Sequence, residues 1–433
     1  MKYFFESYGC QMNKAESAAL ILAAKEQGWE EGGPDSADLI LLNTCSVRAT
    51  AEQRVYGRLA HYTSFKKKRS PFTLVVTGCM AERLGEKLRK EFPGLDYIMG
   101  TSARAQFPDI LKAIEQGVSF SVGEEKPEFA FSGLHFDSEN PFRAFIPIMN
   151  GCNNYCSYCI VPYLRGPEVS RSPEAIIEEI RAIDGMGVKE ITLLGQNVNS
   201  YRWNELDFPG LLELIAKNLE DLENIKWVRF LSSHPKDFSD KTIEVIAKNP
   251  CFCRHIHLCV QHGSNNMLKA MNRRYTAEQY LELINRLRFA LPDLSLSTDI
   301  LVGFPGETEE DLQQTLDLME KIKFLYAYMY HFNPREGTAA FDLPGRISEE
   351  IKRERLSKVI DLQKRHTREI LKGRVGEKAV VLIEGISKKS EDELIARTER
   401  DEMVVVKGSK NEIGSFKTVT LTSLRGNTFR AAD

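Results

Sequence analysis

Residues 151–166, GCNNYCSYCIVPYLRG, place Cys152, Cys156 and Cys159 at C-x3-C-x2-C spacing. A structural zinc site closes on four thiolate or imidazole ligands, yet the next histidine is His234 and the next cysteine Cys251. Thiolates suit soft metals and iron–sulfur clusters. Three of them on a four-iron cube leave one iron able to bind a small molecule. A degenerate zinc knuckle is the other reading of the same spacing. Gly151, Asn153 and Asn154 supply the backbone tolerance that such a loop needs.

The flanking sequence says what carries the loop. AFIPIMN (144–150) precedes it, and ITLLGQ, WVRFLSS, HIHLCVQ, LSLSTDILVG and YAYMYHFN follow. These six strand-like runs alternate with helical patterns. Ser172 can cap the helix that Pro173 opens, and Thr308 and Asp311 begin an acidic first turn. Six βα units, too few for a closed eight-fold barrel, predict a partial (βα)6 barrel over 144–372.

Upstream, residues 1–120 also alternate, with strands KYFFES, DLILLNT and FTLVVTG and helices around 14–27, 47–65 and 82–92. The order predicts an open parallel α/β domain. Residues 121–143, without clear period, read as a linker. In 373–433, KAVVLIEGIS, DEMVVVKG and SFKTVTLTSLRGNTFRA are short β segments broken by turns, which predict a small terminal β-barrel. The fold class is α/β.

Each early strand is followed by a cysteine: Cys10, Cys45 and Cys79. One βα unit takes about 30 residues, so each step moves one strand along the sheet. Parallel strands end on one edge, where ligands bind. The three thiols are expected to converge on a shared metal, although three buried cysteines would give the same pattern.

The chain has 433 residues, Lys+Arg 58 against Asp+Glu 61, and a net charge of −3. A polyanion would have to meet local patches. The apolar run Ala18–Ala24 is too short to cross a bilayer, and the start lacks the layout of a signal peptide. A cytoplasmic protein with no membrane partner is expected. Nine cysteines argue for reduced thiols or metal ligands over a disulfide framework.

C-x3-C-x2-C with Tyr158 before the last cysteine resembles the radical S-adenosylmethionine superfamily. With Cys10 in GCQMN, Cys45 in NTCSVR and Cys79 in TGCMAE, the chain resembles the methylthiotransferases. SSHPKD (232–237), VQHGS (260–264), MNRRY (271–275), TDILVGFPGET (298–308) and NPREGTAA (333–340) narrow this to the MiaB type, which acts on tRNA adenosine.

The resemblance implies two 4Fe-4S clusters, one on Cys152, Cys156 and Cys159 that binds and cleaves S-adenosylmethionine, and an auxiliary one on Cys10, Cys45 and Cys79. It implies methylthiolation of carbon 2 of N6-isopentenyladenosine beside the anticodon, at two S-adenosylmethionine per product. Other methylthiotransferases act on threonylcarbamoyl-adenosine or a ribosomal protein. It implies a tRNA anticodon stem-loop as partner, an electron donor such as flavodoxin or ferredoxin, a monomer, and a TRAM-like terminal barrel that binds RNA.

Tyr158, Gln196, Ser232, Ser233, Gln261, Asp299 and Gly303, most of them at strand ends, are the expected S-adenosylmethionine contacts, although strand-end capping explains any one of them as well. Charge adds little for RNA. Residues 374–433 hold 11 Lys+Arg against 10 Asp+Glu, and FKKKR (65–69) reads equally as a solvated loop. The chain departs from the family in LCVQHGS, where Cys259 and His262 stand in place of the usual Pro and Ser. With Cys251, Cys253 and His257 they form a second Cys/His concentration, for which ordinary packing is expected.

Overall fold

The computed structural model describes residues 1–46, 49–68, 71–123, 140–388, 390 and 392–432. Most of the expected linker (124–139) and Arg69 of the basic cluster lie outside the described residues. The chain forms two compact units: Met1–Asn153 with Cys159–Ile183 and Leu194–Gln196, and Asn154–Tyr158 with Asp184–Leu193 and Asn197–Asp433.

In the first unit, five parallel strands run in the order Glu30–Glu31, Lys2–Ser7, Leu39–Thr44, Thr73–Gly78, Tyr97–Met99. The middle strands are apolar throughout because both faces are covered. Ile40, Leu42, Leu74 and Val76 pack into one core, while Leu39, Leu41 and Val75 pack into the other. This is the period of two expected of a strand. By chain position the order is 2-1-3-4-5, so the chain reverses direction across the sheet between Lys2–Ser7 and Leu39–Thr44. Ligands of open α/β sheets bind at that reversal, beyond the strand C-termini.

The first unit also carries the strand Arg143–Pro147 and the helix Val161–Arg165. AFIPIMN is not one strand. It breaks after Pro147, which has no N–H to donate. Met149–Asn150 then pairs antiparallel with Val169–Ser170.

The second unit pairs Glu190–Leu194 in parallel with Trp227–Phe230 through residues 190–193. A parallel bridge Ser233↔Leu258 continues toward His255–His257, Ser295–Val302 and Tyr326–His331, all parallel. Strand C-termini therefore collect on one edge here too. Five strands, Lys378–Ile386, Glu393–Thr398, Met403–Lys407, Phe416–Arg425 and Thr428–Ala432, close the expected terminal barrel. Val381, Ile383, Leu394, Val404, Leu421 and Phe429 fill its core.

This barrel is anchored by buried charge. Glu190 accepts from Arg229 Nε at 2.8 Å and from Arg397 at 2.5 Å. Arg229 also donates to the carbonyls of Thr398 and Glu399 at 2.9 and 2.8 Å. Among the described residues no helix is long and apolar enough to cross a membrane.

Candidate metal and cofactor sites

Cys10 and Cys45 follow the two strands that flank the chain reversal, and Cys79 follows the next strand over. Adjacent strands are about 4.8 Å apart, so the three thiols share one short stretch of sheet edge. Cys10 is the N-cap residue of Gln11–Glu26, and Cys79 opens Cys79–Glu91. Both therefore sit at the positive end of a helix dipole. Gly9 has φ +124, and a Cβ there would lie 2.5 Å from Cys45 Cβ and 3.0 Å from its sulfur. Only glycine lets these two segments approach.

Two asparagines hold the edge together. Asn13 Nδ2 donates to the carbonyls of Tyr8 and Thr44, each at 2.9 Å, and Asn43 Nδ2 donates to the Asn13 carbonyl at 2.9 Å. Behind them, Glu16 is buried against two guanidinium groups. Arg165 donates to it at 2.7 Å and Arg104 pairs with the same oxygen. Two cations against one carboxylate leave one positive charge in surplus. The Arg165 charge reaches both Cys79 and Cys10; at Cys10 it opposes burial, which nonetheless pushes the thiol up. The sequence reading missed Asn13, Asn43, Glu16, Arg104 and Arg165. The asparagines stand inside quoted motifs, but nothing local pairs the charged three.

Cys152 and Cys159 belong to the first unit and Cys156 to the second. Cys152 is buried, and its N–H meets the Gly166 carbonyl at 3.2 Å. Gly151, at φ +79, could carry no side chain, since a Cβ would fall 1.9 Å from the Pro167 carbonyl oxygen.

In the second unit MNRRY clamps the rest of the loop. Asn272 Nδ2 donates to the Asn154 and Tyr155 carbonyls at 3.2 and 3.0 Å. Ser157 is fixed by Ala270 and Met271. Buried Arg273 donates to Cys156 Sγ at 3.3 Å and to the Cys259 carbonyl at 2.6 Å.

The expected S-adenosylmethionine contacts divide. Ser232, Ser233, Gln261, Asp299 and Gly303 all lie at or near strand C-termini of the second unit, whereas Gln196 belongs to the first. Ser232 and Gln261 are held at φ +65 and +70. Such backbone strain costs about 1–3 kcal/mol per residue and gathers at functional sites. Among the described residues Ser233 Oγ and Gln196 Oε1 are buried without a hydrogen-bond partner, a state that a bound polar ligand relieves.

Two of the set have other work. Tyr158 packs against Met267, Met271, Phe304 and Phe332. The Gly303 N–H is already taken by Glu307, which also accepts from Phe304 N at 3.0 Å, so the GFPGE turn closes on its own carboxylate.

The second Cys/His concentration separates. His262 is fully buried, with Nδ1 3.0 Å from both Ser264 N and Thr315 Oγ1. Cys251 and Cys253 precede the strand, and burial pushes the Cys251 thiol up to about 11. His257, Cys259 and Asp299 come together instead, with ligand atoms all within 4.8 Å of one another.

Three stretches match described families: residues 2–100 the uncharacterized protein family UPF0004, 146–319 the radical SAM superfamily, and 372–432 the TRAM domain. The chain is 49% identical to the tRNA-2-methylthio-N(6)-dimethylallyladenosine synthase of Treponema denticola, covering 100% of this chain and 99% of that protein. Proteins of the same name from Phocaeicola vulgatus and Clostridium botulinum are 41% and 39% identical, over 96% and 95% of their lengths and 100% and 99% of this chain.

Among solved structures, the radical S-adenosylmethionine methyltransferase TsrM of Kitasatospora setae, with cobalamin and a [4Fe-4S] cluster bound, superposes with TM-score 0.62. It has 14% identity and covers 78% of this chain and 77% of its own. The cobalamin-dependent radical enzyme OxsB gives 0.57 at 13% identity, over 84% of this chain and 56% of its own. At these identities the fold is what is shared.

Proposed function

Because the chain belongs to the family of the tRNA-2-methylthio-N(6)-dimethylallyladenosine synthases, we propose that it methylthiolates carbon 2 of N6-isopentenyladenosine beside the anticodon of tRNA. The observation that carries this reading is the pairing, in one chain, of two three-thiol sets. One set stands at the reversal of a parallel sheet. The other lies in a loop clamped by Asn272 and Arg273.

Both donor sets suit four-iron clusters. Each offers three thiols and has a glycine where a Cβ would clash with the neighbouring segment; Arg273 donates to Cys156 Sγ, and the Arg165 charge reaches Cys10 and Cys79. Cys152, Cys156 and Cys159 would hold a cluster that supplies the reducing electron for S-adenosylmethionine cleavage, and Cys10, Cys45 and Cys79 would hold one that supplies the sulfur. The protein's part is placement. Arg273 fixes the Cys156 sulfur, while Arg104 and Arg165 against Glu16 give the auxiliary site its net positive field. Ser233, Gln261, Asp299 and Gln196 offer the polar partners that the amino-acid and ribose groups of S-adenosylmethionine need. Ser232 shapes this region through its backbone and Tyr158 through packing, and Gly303 lies in the turn that Glu307 closes beside it.

The terminal barrel is proposed to hold the anticodon stem-loop. A flavodoxin or ferredoxin is proposed as electron donor, and the enzyme is proposed to work as a cytoplasmic monomer. The domain limits proposed are 1–120, 121–143, 144–372 and 373–433.

Anaerobic iron and sulfide analysis tests the ligand assignment. Two clusters give about eight irons per chain. Replacing Cys152, Cys156 and Cys159 together by Ala should halve the iron and abolish S-adenosylmethionine cleavage. Replacing Cys10, Cys45 and Cys79 should halve it too but leave cleavage intact. Full iron in either triple variant would overturn the assignment.

A further inference from the structure

Outside both cysteine sets, one thiol, one imidazole and one carboxylate meet inside the second unit. His257 ends the strand His255–His257 and Cys259 follows two residues later on the same face. Asp299 stands on the neighbouring parallel strand, where His257 is in register with Ser297. Cys259 Sγ lies 3.2 Å from His257 Nε2, and that nitrogen lies 3.6 Å from Asp299 Oδ2.

The imidazole is already oriented. Ser297 Oγ sits 2.9 Å from Nδ1, which leaves Nε2 as the atom facing the sulfur and the carboxylate. Metal-bound histidines are held in this way, by a partner on the nitrogen that does not ligate. Arg273 binds the carbonyl of Cys259 rather than its sulfur, so Sγ stays directed into the cluster.

The spacing decides what the three groups can hold. Zinc bonds of about 2.3 Å to sulfur and about 2.0 Å to nitrogen, at the tetrahedral angle, put those two atoms roughly 3.5 Å apart. The observed 3.2 Å needs a shift of only a few tenths of an ångström. We propose that His257, Cys259 and Asp299 form a third, mononuclear metal site for a divalent cation of the zinc class, with a fourth coordination position left open. One sulfur, one nitrogen and one oxygen donor make a set that zinc accepts and that magnesium and calcium do not favour. Asp299 turns Oδ2 toward His257, and the metal site does not depend on the S-adenosylmethionine contact proposed above.

The test uses the full chain with both clusters loaded, dialysed anaerobically against zinc and then freed of excess. Elemental analysis should find one zinc per chain beyond the iron. Zinc affinity should fall at least tenfold in Cys259→Ala and in Asp299→Asn with iron unchanged, and stay at the wild-type level in Cys253→Ala. X-ray absorption at the zinc edge should show one sulfur neighbour with nitrogen and oxygen making up the rest, a readout that holds even if one variant folds poorly. No stoichiometric zinc, zinc retained in Cys259→Ala, or three or more sulfur neighbours would each overturn the proposal, the last by placing the zinc in a cluster site.

Discussion

Replacing Glu16 by Ala should destabilise the first unit far more than a surface change does. Glu16 is 1% exposed and forms ion pairs with both Arg104 and Arg165, which are also buried. Burial pushes its carboxyl up, but the two guanidinium groups outweigh that and hold it below the usual carboxylate range. Without it, two like charges in the interior lose the carboxylate that they share. Breaking a buried pair from one side costs about 3–5 kcal/mol. For a unit of this size that lowers a melting transition by roughly 6–20 °C, at about 2–4 °C per kcal/mol. Thermal unfolding of the apo chain, followed by circular dichroism, reads the shift. Changing Glu16, Arg104 and Arg165 together to Met should recover most of the lost stability, because apolar replacement removes the desolvation penalty along with the pair. The triple Met variant should still load the auxiliary cluster poorly. A Glu16→Ala melt within about 2 °C of wild type would refute the reasoning, since it would mean that the buried charges find another countercharge.

Acid should destabilise the second unit before any carboxylate titrates. His234 is held down to about 2 and His255 to about 4, in both cases first by burial and then by neighbouring arginines, although Asp401 partly opposes this at His255. Folded values below the unfolded one mean that the unfolded chain binds protons first. The contribution of these two histidines is therefore present above about pH 6.5 and falls by about 2 kcal/mol for each as the pH drops to 5. His234→Asn, which keeps an acceptor near the Lys236 N–H, should flatten that slope in melts across pH 5–7.5, and an unchanged slope would count against it. On the terminal barrel Lys378, Lys407, Lys410 and Arg425 are exposed. Changing all four to Gln should weaken tRNA binding, and every phosphate left without its cation should take about 0.7–0.9 off the log–log salt slope. An unchanged slope would place the RNA interface elsewhere. Deleting the barrel is the poorer test, because it strips Arg397 from buried Glu190.

Much of this was legible because it is written locally. Strand patterning and cysteine spacing located both thiol sets, and the parallel order forced Cys10, Cys45 and Cys79 to one edge. What escaped is non-local. Glu16, Arg104 and Arg165 lie in separate segments, and a buried charge looks the same in sequence as a solvated one. Arg397 meets Glu190 across 207 residues, which made the barrel read as an appended module. Asp299 joins His257 and Cys259 only through strand register. Along the chain His257 and Cys259 stand grouped with Cys251, Cys253 and His262, and nothing local adds Asp299 to them. MNRRY was visible as a motif, but the Arg273 bond to Cys156 depends on a turn that brings residues 117 apart together.

The central claim is tested most directly by a competition between two anticodon stem-loops, one carrying N6-isopentenyladenosine and one bare adenosine. Both are incubated anaerobically with the reduced enzyme and S-adenosylmethionine, then digested and weighed for 2-methylthio product. Burying about three methylene-sized groups of the prenyl chain gains on the order of 2.4 kcal/mol, or some fiftyfold in kcat/KM. An apolar wall discriminates only to that extent. Bare adenosine should therefore react slowly but measurably, with the prenylated loop preferred about fiftyfold. Equal kcat/KM for the two loops, or no methylthio product from either, would contradict the account.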